Sequence, residues 1–266
     1  MHSANSDYDT IQITGPSTAG QPFEGYTWFT NWLSTIAGNN TIPDQYSYHL
    51  EGNPSSTSDD LQNTNASLTA LLEQYKLPQR QVNINEYATS GEQRPAGAAW
   101  WISRLERYDT IGLRGNWLSG TELHDLMANL LTKKNNPADY TATDYLPTGE
   151  WQVYAYYSRN MTGQRVATTG STDRLFDVYA TIDGKSLKVL AGSRVTAGTW
   201  SIQIEGLSCD GDVNVQRWSF PGETQYSVLE APVNGGVGQA AISGGVLTLD
   251  VKSDNTTAYA YEITLP

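Results

Sequence analysis

The sequence contains one cysteine, Cys209, among its 266 residues. A single cysteine cannot form a disulfide within the chain, and it cannot build a cysteine-rich zinc site. The three histidines, His2, His49 and His124, are scattered without the spacing that metal ligands usually show. We therefore expect neither a metal ion nor another cofactor.

Basic residues are also scarce. The chain has 16 Lys and Arg residues against 28 Asp and Glu residues, which gives a formal net charge of −12. Nucleic-acid phosphates and anionic membrane surfaces attract basic proteins, so we expect neither as a partner. No apolar run approaches the roughly 18 residues of a membrane-spanning helix, and no glycine-rich nucleotide-binding motif occurs.

Aromatic residues are present in unusual proportions, with 16 Tyr and 8 Trp against 4 Phe. Tyr and Trp combine a flat apolar face with a polar group, which suits both β-sheet cores with wet edges and stacking on sugars. Core packing accounts for most such residues in any protein, so the proportions alone do not identify a function.

The first half of the chain, residues 1–149, alternates short apolar runs with longer helical patterns. This alternation predicts parallel strands joined by crossover helices, as in a partial (β/α) barrel of about four strand–helix units. The predicted strands cover residues 8–14, 45–51, 81–87 and 110–117, and the predicted helices cover residues 23–37, 55–77, 96–108 and 121–134.

The second half, residues 150–266, has a different pattern. Seven segments show a period of two and are separated by Gly, Asn, Asp and Pro turns, which predicts an antiparallel β-sandwich. These segments cover residues 151–158, 174–182, 186–192, 199–207, 213–220, 245–251 and 258–265. The expected fold class is therefore α/β followed by all-β, in two domains.

A carboxylate, Glu86, stands at the end of the predicted strand 81–87. In α/β barrels the reacting residues lie at the carboxyl ends of the strands, and a carboxylate there can attack an acetal carbon. Glu51 ends the preceding predicted strand in the same way. The plainer alternative is that such a Glu bonds to a loop or caps the next helix.

Three segments together resemble a known family: "VNINEYATSGEQRPAGAAWWISRLERYDTIGLRGNW", "ELHDLMANLL" and "GEWQVYAYYSRNMTGQRV". In this order they are similar to the second half of fungal glycoside hydrolases of clan A, of the family 39 type. The resemblance implies a barrel closed by a C-terminal β-sandwich, a carbohydrate substrate, and Glu86 as the nucleophile on the seventh barrel strand. It also implies an extracellular location, although residues 1–5 do not resemble a signal peptide.

The resemblance suggests substrate-binding roles for residues around Glu86. His49 would orient Glu86 or a sugar hydroxyl, and Arg114 would pair with Glu86. The alternatives are a buried histidine with satisfied hydrogen bonds and a weak surface ion pair.

Three more residues complete the expected substrate site. Trp117 would form the floor of a sugar subsite, with packing at the strand end as the alternative. Asn85 and Tyr87 flank Glu86 and would contact the substrate.

A retaining enzyme of this clan also needs a general acid/base, which the family carries on the fourth barrel strand. The present chain would begin at the fifth strand, and this leaves three readings open. The missing half comes from elsewhere, another acid serves (Glu51, Asp44 or Glu92), or the protein binds glycans or a partner without hydrolysing them. Four parallel strands would leave open edges. We expect the β-sandwich, the linker segment 133–149, a second copy or a complementary chain to cover them.

Overall fold

The computed structural model describes residues 11–51, 59–115, 130–133 and 143–266. Trp117 lies outside the described residues, and so do residues 121–129 and 134 of the fourth predicted helix. The end of that prediction is wrong, because Leu131–Lys133 form a short strand. The chain forms two compact units, one of Met1–Thr89 with Arg104–Gly115 and the other of Ser90–Ser103 with Asn116–Pro266. The expected domain division at residues 149/150 stays a prediction.

The first unit contains a four-stranded parallel sheet in the order β1-β2-β3-β4, as the strand–helix alternation predicts. The strands are β1 (Thr14–Thr18), β2 (Gln45–Leu50), β3 (Gln81–Tyr87) and β4 (Thr110–Arg114), and the helices are α1 (Thr27–Asn39), α2 (Leu61–Gln74) and α3 (Pro95–Arg107), whose residues are divided between the two units.

The first predicted strand, at residues 8–14, is only partly tested: residues 8–10 lie outside the described residues, and residues 11–13 are not in a strand. Strand β1 begins only at Thr14 and continues through Gly15 and Pro16, which we expected to form a turn. Pro16 is tolerated because β1 pairs only with β2 among the described strands, so the missing N–H of proline need not join a second ladder.

Helices cover one face of this parallel sheet through the tyrosines of β2. Tyr46 packs edge-on against Trp32 of α1, with ring centroids 6.2 Å apart, and Tyr48 donates a hydrogen bond to Thr64 of α2. Asp60 caps the start of α2 by accepting a hydrogen bond from the backbone N–H of Gln62. Side chains alternate along a strand, so His49 of β2 lies on the face of the sheet opposite to the helices.

The second unit contains an eight-stranded antiparallel sheet in the order β10-β13-β12-β11-β14-β9-β8-β7. Its strands are β7 (Gln164–Arg165), β8 (Phe176–Asp183), β9 (Ser186–Ser193), β10 (Gly198–Ile204), β11 (Gly211–Phe220), β12 (Val233–Ser243), β13 (Val246–Ser253) and β14 (Ala258–Thr264); a two-stranded sheet of β5 (Leu131–Lys133) and β6 (Tyr145–Pro147) and the helix α4 (Gly149–Asn160) precede them.

This sheet curls on itself. Phe176 of β8 stacks on Trp200 of β10 with ring centroids 5.0 Å apart, although the two strands lie near opposite ends of the strand order. Val189, Val215 and Leu249 belong to the buried cluster that holds the curl together. The expected layered, antiparallel architecture is thus present as one continuous curled sheet, and six of the seven predicted strands are observed.

Residues 151–158 form helix α4 and not the strand that we predicted. The Thr148 side chain accepts a hydrogen bond from Trp151 N–H at the start of this helix, and Val153 and Tyr156 are buried at helical spacing. The sequence pattern is ambiguous here, because the aromatic residues occupy positions that fit both the period of two of a strand and the period of about 3.6 of a helix. Strand β12 was missed because its glycines have low strand propensity; its pairing with β11 supports it.

Candidate active site

A bulge in β3 determines where Glu86 points. Tyr48 of β2 pairs with Ile84, and the next residue, His49, pairs with Glu86, so Asn85 is the extra residue on β3. The pairing of β3 with β4 is irregular at the same place, because Ile84 pairs with Gly112 and the next paired residue of β3 is Tyr87. Without the bulge, Glu86 would lie on the helix-covered face with Ile84; with it, Glu86 lies on the same face as His49.

His49 and Glu86 form a close pair at the carboxyl ends of their strands. The Nε2 atom of His49 lies 3.7 Å from Oε2 of Glu86, and the two side chains are 22% and 35% exposed. Both groups are therefore supported by the protein on one side and accessible to solvent on the other. This combination suits a carboxylate that must meet a substrate.

The other ring nitrogen of His49 is fixed by β1. Nδ1 lies 2.7 Å from the carbonyl oxygen of Thr18. A carbonyl oxygen only accepts hydrogen bonds, so Nδ1 carries a proton and donates it. In the neutral ring Nε2 is then an acceptor, and in the protonated ring Nε2 presents an N–H towards Glu86.

Polar side chains continue along the same sheet face towards the amino ends of the strands. Thr14, Gln45 and Gln81 sit side by side on β1, β2 and β3 and form a hydrogen-bonded row with distances of 2.9 Å. Ser47, one step closer to His49, bonds with Ser17 through both hydroxyls at 2.9 Å. We did not predict this polar row, although the alternation of Gln45, Ser47 and His49 with apolar residues signals a shared face.

Glu51, the second strand-end carboxylate, lies against the end of β4. A Cβ atom at Gly115 would lie only 2.0 Å from Oε1 of Glu51 and 2.9 Å from the carbonyl oxygens of Tyr87 and Ala88. The structure thus places Glu51 beside Gly115, whereas it places Glu86 beside His49.

The other two candidate acids lie elsewhere. Asp44 precedes β2 and accepts a hydrogen bond from the backbone N–H of Ile13 at 2.8 Å, at the amino end of the sheet. Glu92, in the second unit, is buried and bonds to Nε of Arg194 at 2.6 Å. Neither position suits an acid that must meet substrate beside Glu86.

The structure describes the surroundings of Tyr87 and Arg114, whose expected roles in substrate binding stay predictions. The Tyr87 side chain is buried and packs with Leu105 around Gly112, because the bulge turns it to the helix-covered face. Arg114 pairs in register with Tyr87 and donates a hydrogen bond to the carbonyl oxygen of Gly115. Asn85 is half-buried at the bulge.

Within the described ranges, no group of three or more His, Cys, Asp or Glu side chains is arranged to hold a metal ion. None of the helices in the described part of the chain is long and apolar enough to cross a membrane.

Comparison with known proteins shows the fold. No protein-family model matches the sequence, and no curated protein matches it either. Among solved structures, N2152 from Neocallimastix frontalis is similar with a TM-score of 0.76 and 20% identity, over 97% of this chain and 62% of that protein.

Two further similar structures are enzymes by name. A glucosidase from Croceicoccus marinus has a TM-score of 0.59 at 15% identity, over 97% of this chain and 61% of that protein. The GH39 enzyme from Xanthomonas axonopodis pv. citri has a TM-score of 0.58 at 13% identity, over 98% of this chain and 62% of that enzyme. The fold is therefore glycosidase-like, and the chain spans about three fifths of the length of these proteins.

Proposed function

We propose that this chain is the nucleophile-bearing part of a retaining glycoside hydrolase that acts on a β-linked or arabinose/xylose-type glycan. One observation carries the proposal: the bulge at Asn85 places the Glu86 carboxylate beside His49 at the carboxyl end of a parallel sheet. In barrel enzymes this end carries the chemistry, and the glycosidase-like fold agrees with that assignment.

In this mechanism an oxygen of Glu86 attacks the anomeric carbon of the sugar. A bond forms between that oxygen and the carbon while the bond to the leaving oxygen breaks, and the leaving oxygen takes a proton from a general acid. Water then attacks the anomeric carbon of the glycosyl-enzyme ester and gives one proton to the deprotonated acid, which is thereby restored. The sugar departs with the hydroxyl, and the bond to Glu86 breaks to return its carboxylate. His49, held by Thr18, is a positioning residue that orients the Glu86 carboxylate.

The general acid is expected to come from outside the described residues. Glu51 lies against Gly115, and we propose that this pose does not serve catalysis. A complementary chain would supply the acid, and that chain or a second copy of this one would cover the sheet edge. The exposed apolar side chains of Ile111 and Leu113 on β4, which are 44% and 62% exposed, support such a cover. The chain alone is then a weak or inactive hydrolase on ordinary glycosides.

The finer assignment follows the family resemblance. We propose a family 39-like enzyme of the fungal type, located outside the cell, with residues 1–149 as a partial barrel and residues 150–266 as the β domain. The similarity to the GH39 enzyme from Xanthomonas axonopodis supports this assignment at the level of the fold.

Aryl glycosides with graded leaving groups test the proposal. General acid help is typically worth about 10² to 10⁴-fold, so the rate of the isolated chain should fall steeply as the leaving phenol becomes less acidic. Glu86→Gln should lower turnover of the most activated glycosides by about 10³-fold or more. Glu73→Gln, an exposed glutamate on α2, is the matched control.

Turnover that survives Glu86→Gln would remove Glu86 from the nucleophile role. No turnover of any activated glycoside by the parent chain would favour a non-catalytic glycan-binding protein.

A further inference from the structure

A groove of about 560 Å³ opens in the first unit between the segment after β1 and the first half of α2. Gln21 and Phe23 line it from the β1–α1 connection, and Asn63, Thr64 and Ser67 line it from α2. The groove has the size of a pocket for a small ligand, for which roughly 300–1,000 Å³ is usual.

The chemistry of the groove fits a neutral ligand. Every described residue that lines it is uncharged, although the whole chain has a net charge of −12. Amide and hydroxyl groups of Gln21, Asn63 and Ser67 stand beside the aromatic ring of Phe23. A sugar offers the matching surface, with hydroxyl groups around its edge and an apolar face that stacks on an aromatic ring. An anion or a cation would find no opposite charge among these side chains.

Phe23 packs on neighbouring aromatic rings although it is 48% exposed. Its ring stacks on Tyr26 with centroids 5.8 Å apart and an angle of 16°, and Tyr26 stacks in turn on the buried Phe29 at 6.4 Å. The backbone N–H of Tyr26 also donates to the carbonyl oxygen of Phe23 at 3.0 Å. A ring fixed in this way loses little conformational freedom when a ligand binds.

The groove lies beside connections that follow strands at the same end of the sheet as Glu86. The β1–α1 connection begins after Thr18, whose carbonyl oxygen holds His49 and whose hydroxyl donates to the carbonyl oxygen of Gly20 at 2.8 Å. On the other wall, Thr64 accepts the hydrogen bond from Tyr48 of β2. The groove is therefore built on the same two strands that position His49, and none of the site residues that the structure describes lines it.

We propose that this groove is a second carbohydrate-binding site, in which Phe23 stacks on a sugar unit of a neutral oligosaccharide. The choice of glycan as ligand rests on the proposed function. Such a site would hold a long chain near the catalytic end of the sheet without touching the bond that is cleaved.

An NMR titration of the Glu86→Gln protein with xylohexaose and with cellohexaose tests the proposal. The backbone amide signals of Gln21 and Ser67 report on the groove itself. Phe23→Ala should weaken the binding that these signals report by about three- to tenfold. Ala66→Trp, which fills the groove from the helix surface, should weaken it at least as much. Trp28→Ala is the matched control, because Trp28 is 54% exposed on α1 but does not line the groove.

The outcomes separate this proposal from the proposed function. Groove binding that depends on Phe23 supports the second site even if no aryl glycoside is hydrolysed. Unchanged groove signals with both hexaoses overturn it, and so does binding that Phe23→Ala and Ala66→Trp leave intact, even if Glu86-dependent hydrolysis is observed.

Discussion

His49 faces Glu86 across neighbouring strands, with Nε2 of the histidine 3.7 Å from Oε2 of the carboxylate. The pair exists because β3 carries one extra residue, Asn85, which turns Glu86 to the face of the sheet on which His49 lies. The carbonyl oxygen of Thr18 fixes the histidine ring from the other side at 2.7 Å. The candidate nucleophile on β3 thus faces a histidine of β2 that a carbonyl oxygen of β1 holds in place.

The hydrogen bond to Thr18 predicts the tautomer of His49. In the neutral ring the proton should reside on Nδ1, because the carbonyl oxygen of Thr18 can only accept. Two-bond ¹H–¹⁵N correlation spectra distinguish the two ring nitrogens directly. A neutral His49 protonated on Nε2 would contradict the described geometry.

Gly115→Ala should displace Glu51 and destabilise the protein by about 1–3 kcal/mol, because the new Cβ would lie 2.0 Å from the Glu51 carboxyl oxygen. Gly38→Ala is the control, since nothing lies within 4 Å of its Cβ position in α1. Urea titrations give the free energy of unfolding of both variants. In a double-mutant cycle, Glu51→Ala should reduce the cost of Gly115→Ala, and strictly additive effects would count against the contact.

Glu92 and Arg194 should stabilise the second unit as a buried pair. Their side chains are 0% and 4% exposed, and the Arg194 guanidinium lies 4.6 Å from the Trp100 ring centroid. Removing one partner leaves a buried charge, so Glu92→Gln should cost about 3–5 kcal/mol in chemical denaturation. Arg159→Ala, which removes an exposed guanidinium 5.5 Å from the Trp151 ring, should cost less than about 1 kcal/mol. Equal effects of the two substitutions would argue against a buried pair.

Asp254 should make the stability of the folded protein depend on pH in the acid range. Burial acts to raise the pKa of Asp254, but hydrogen bonds from Thr256 and Thr257 outweigh it and lower the pKa. Ionised Asp254 therefore stabilises the folded protein at pH values above the ordinary aspartate pKa of about 4. This stabilisation is lost as the pH falls through the lower pKa that Asp254 has in the folded protein. Asp254→Asn should lower the urea midpoint at pH 7 and flatten its decline between about pH 5 and pH 2. The exposed Asp212→Asn is the control, and an unchanged decline in Asp254→Asn would contradict the assignment.

The sequence patterns predict most of the strands of both units and the position of Glu86 at a strand end. They do not predict the direction in which Glu86 points, because strict alternation would place it with Val82 and Ile84 on the helix-covered face. The bulge that reverses it arises from pairing with two neighbouring strands, which a single segment does not encode. The same reversal buries the side chain of Tyr87, which strict alternation would place on the opposite face.

The helix α4 and the strand β12 show a second limit of pattern reading. Residues 151–158 contain aromatic side chains at positions that satisfy both periods, and only the cap at Thr148 and the burial of Val153 reveal the helix. Strand β12 is rich in glycine and gains its order from its long ladder with β11. In both cases contacts with other parts of the chain determine the secondary structure.

Covalent trapping tests the role of Glu86 most directly. A 2-deoxy-2-fluoro glycosyl fluoride carries a leaving group that needs little acid help, so the chain can react even without a general acid. Peptide mass spectrometry should then find one sugar bound as an ester to Glu86, and none in Glu86→Gln. A label on another carboxylate, or no label on Glu86 with any fluoride of the xylose, arabinose and glucose series, would contradict the account.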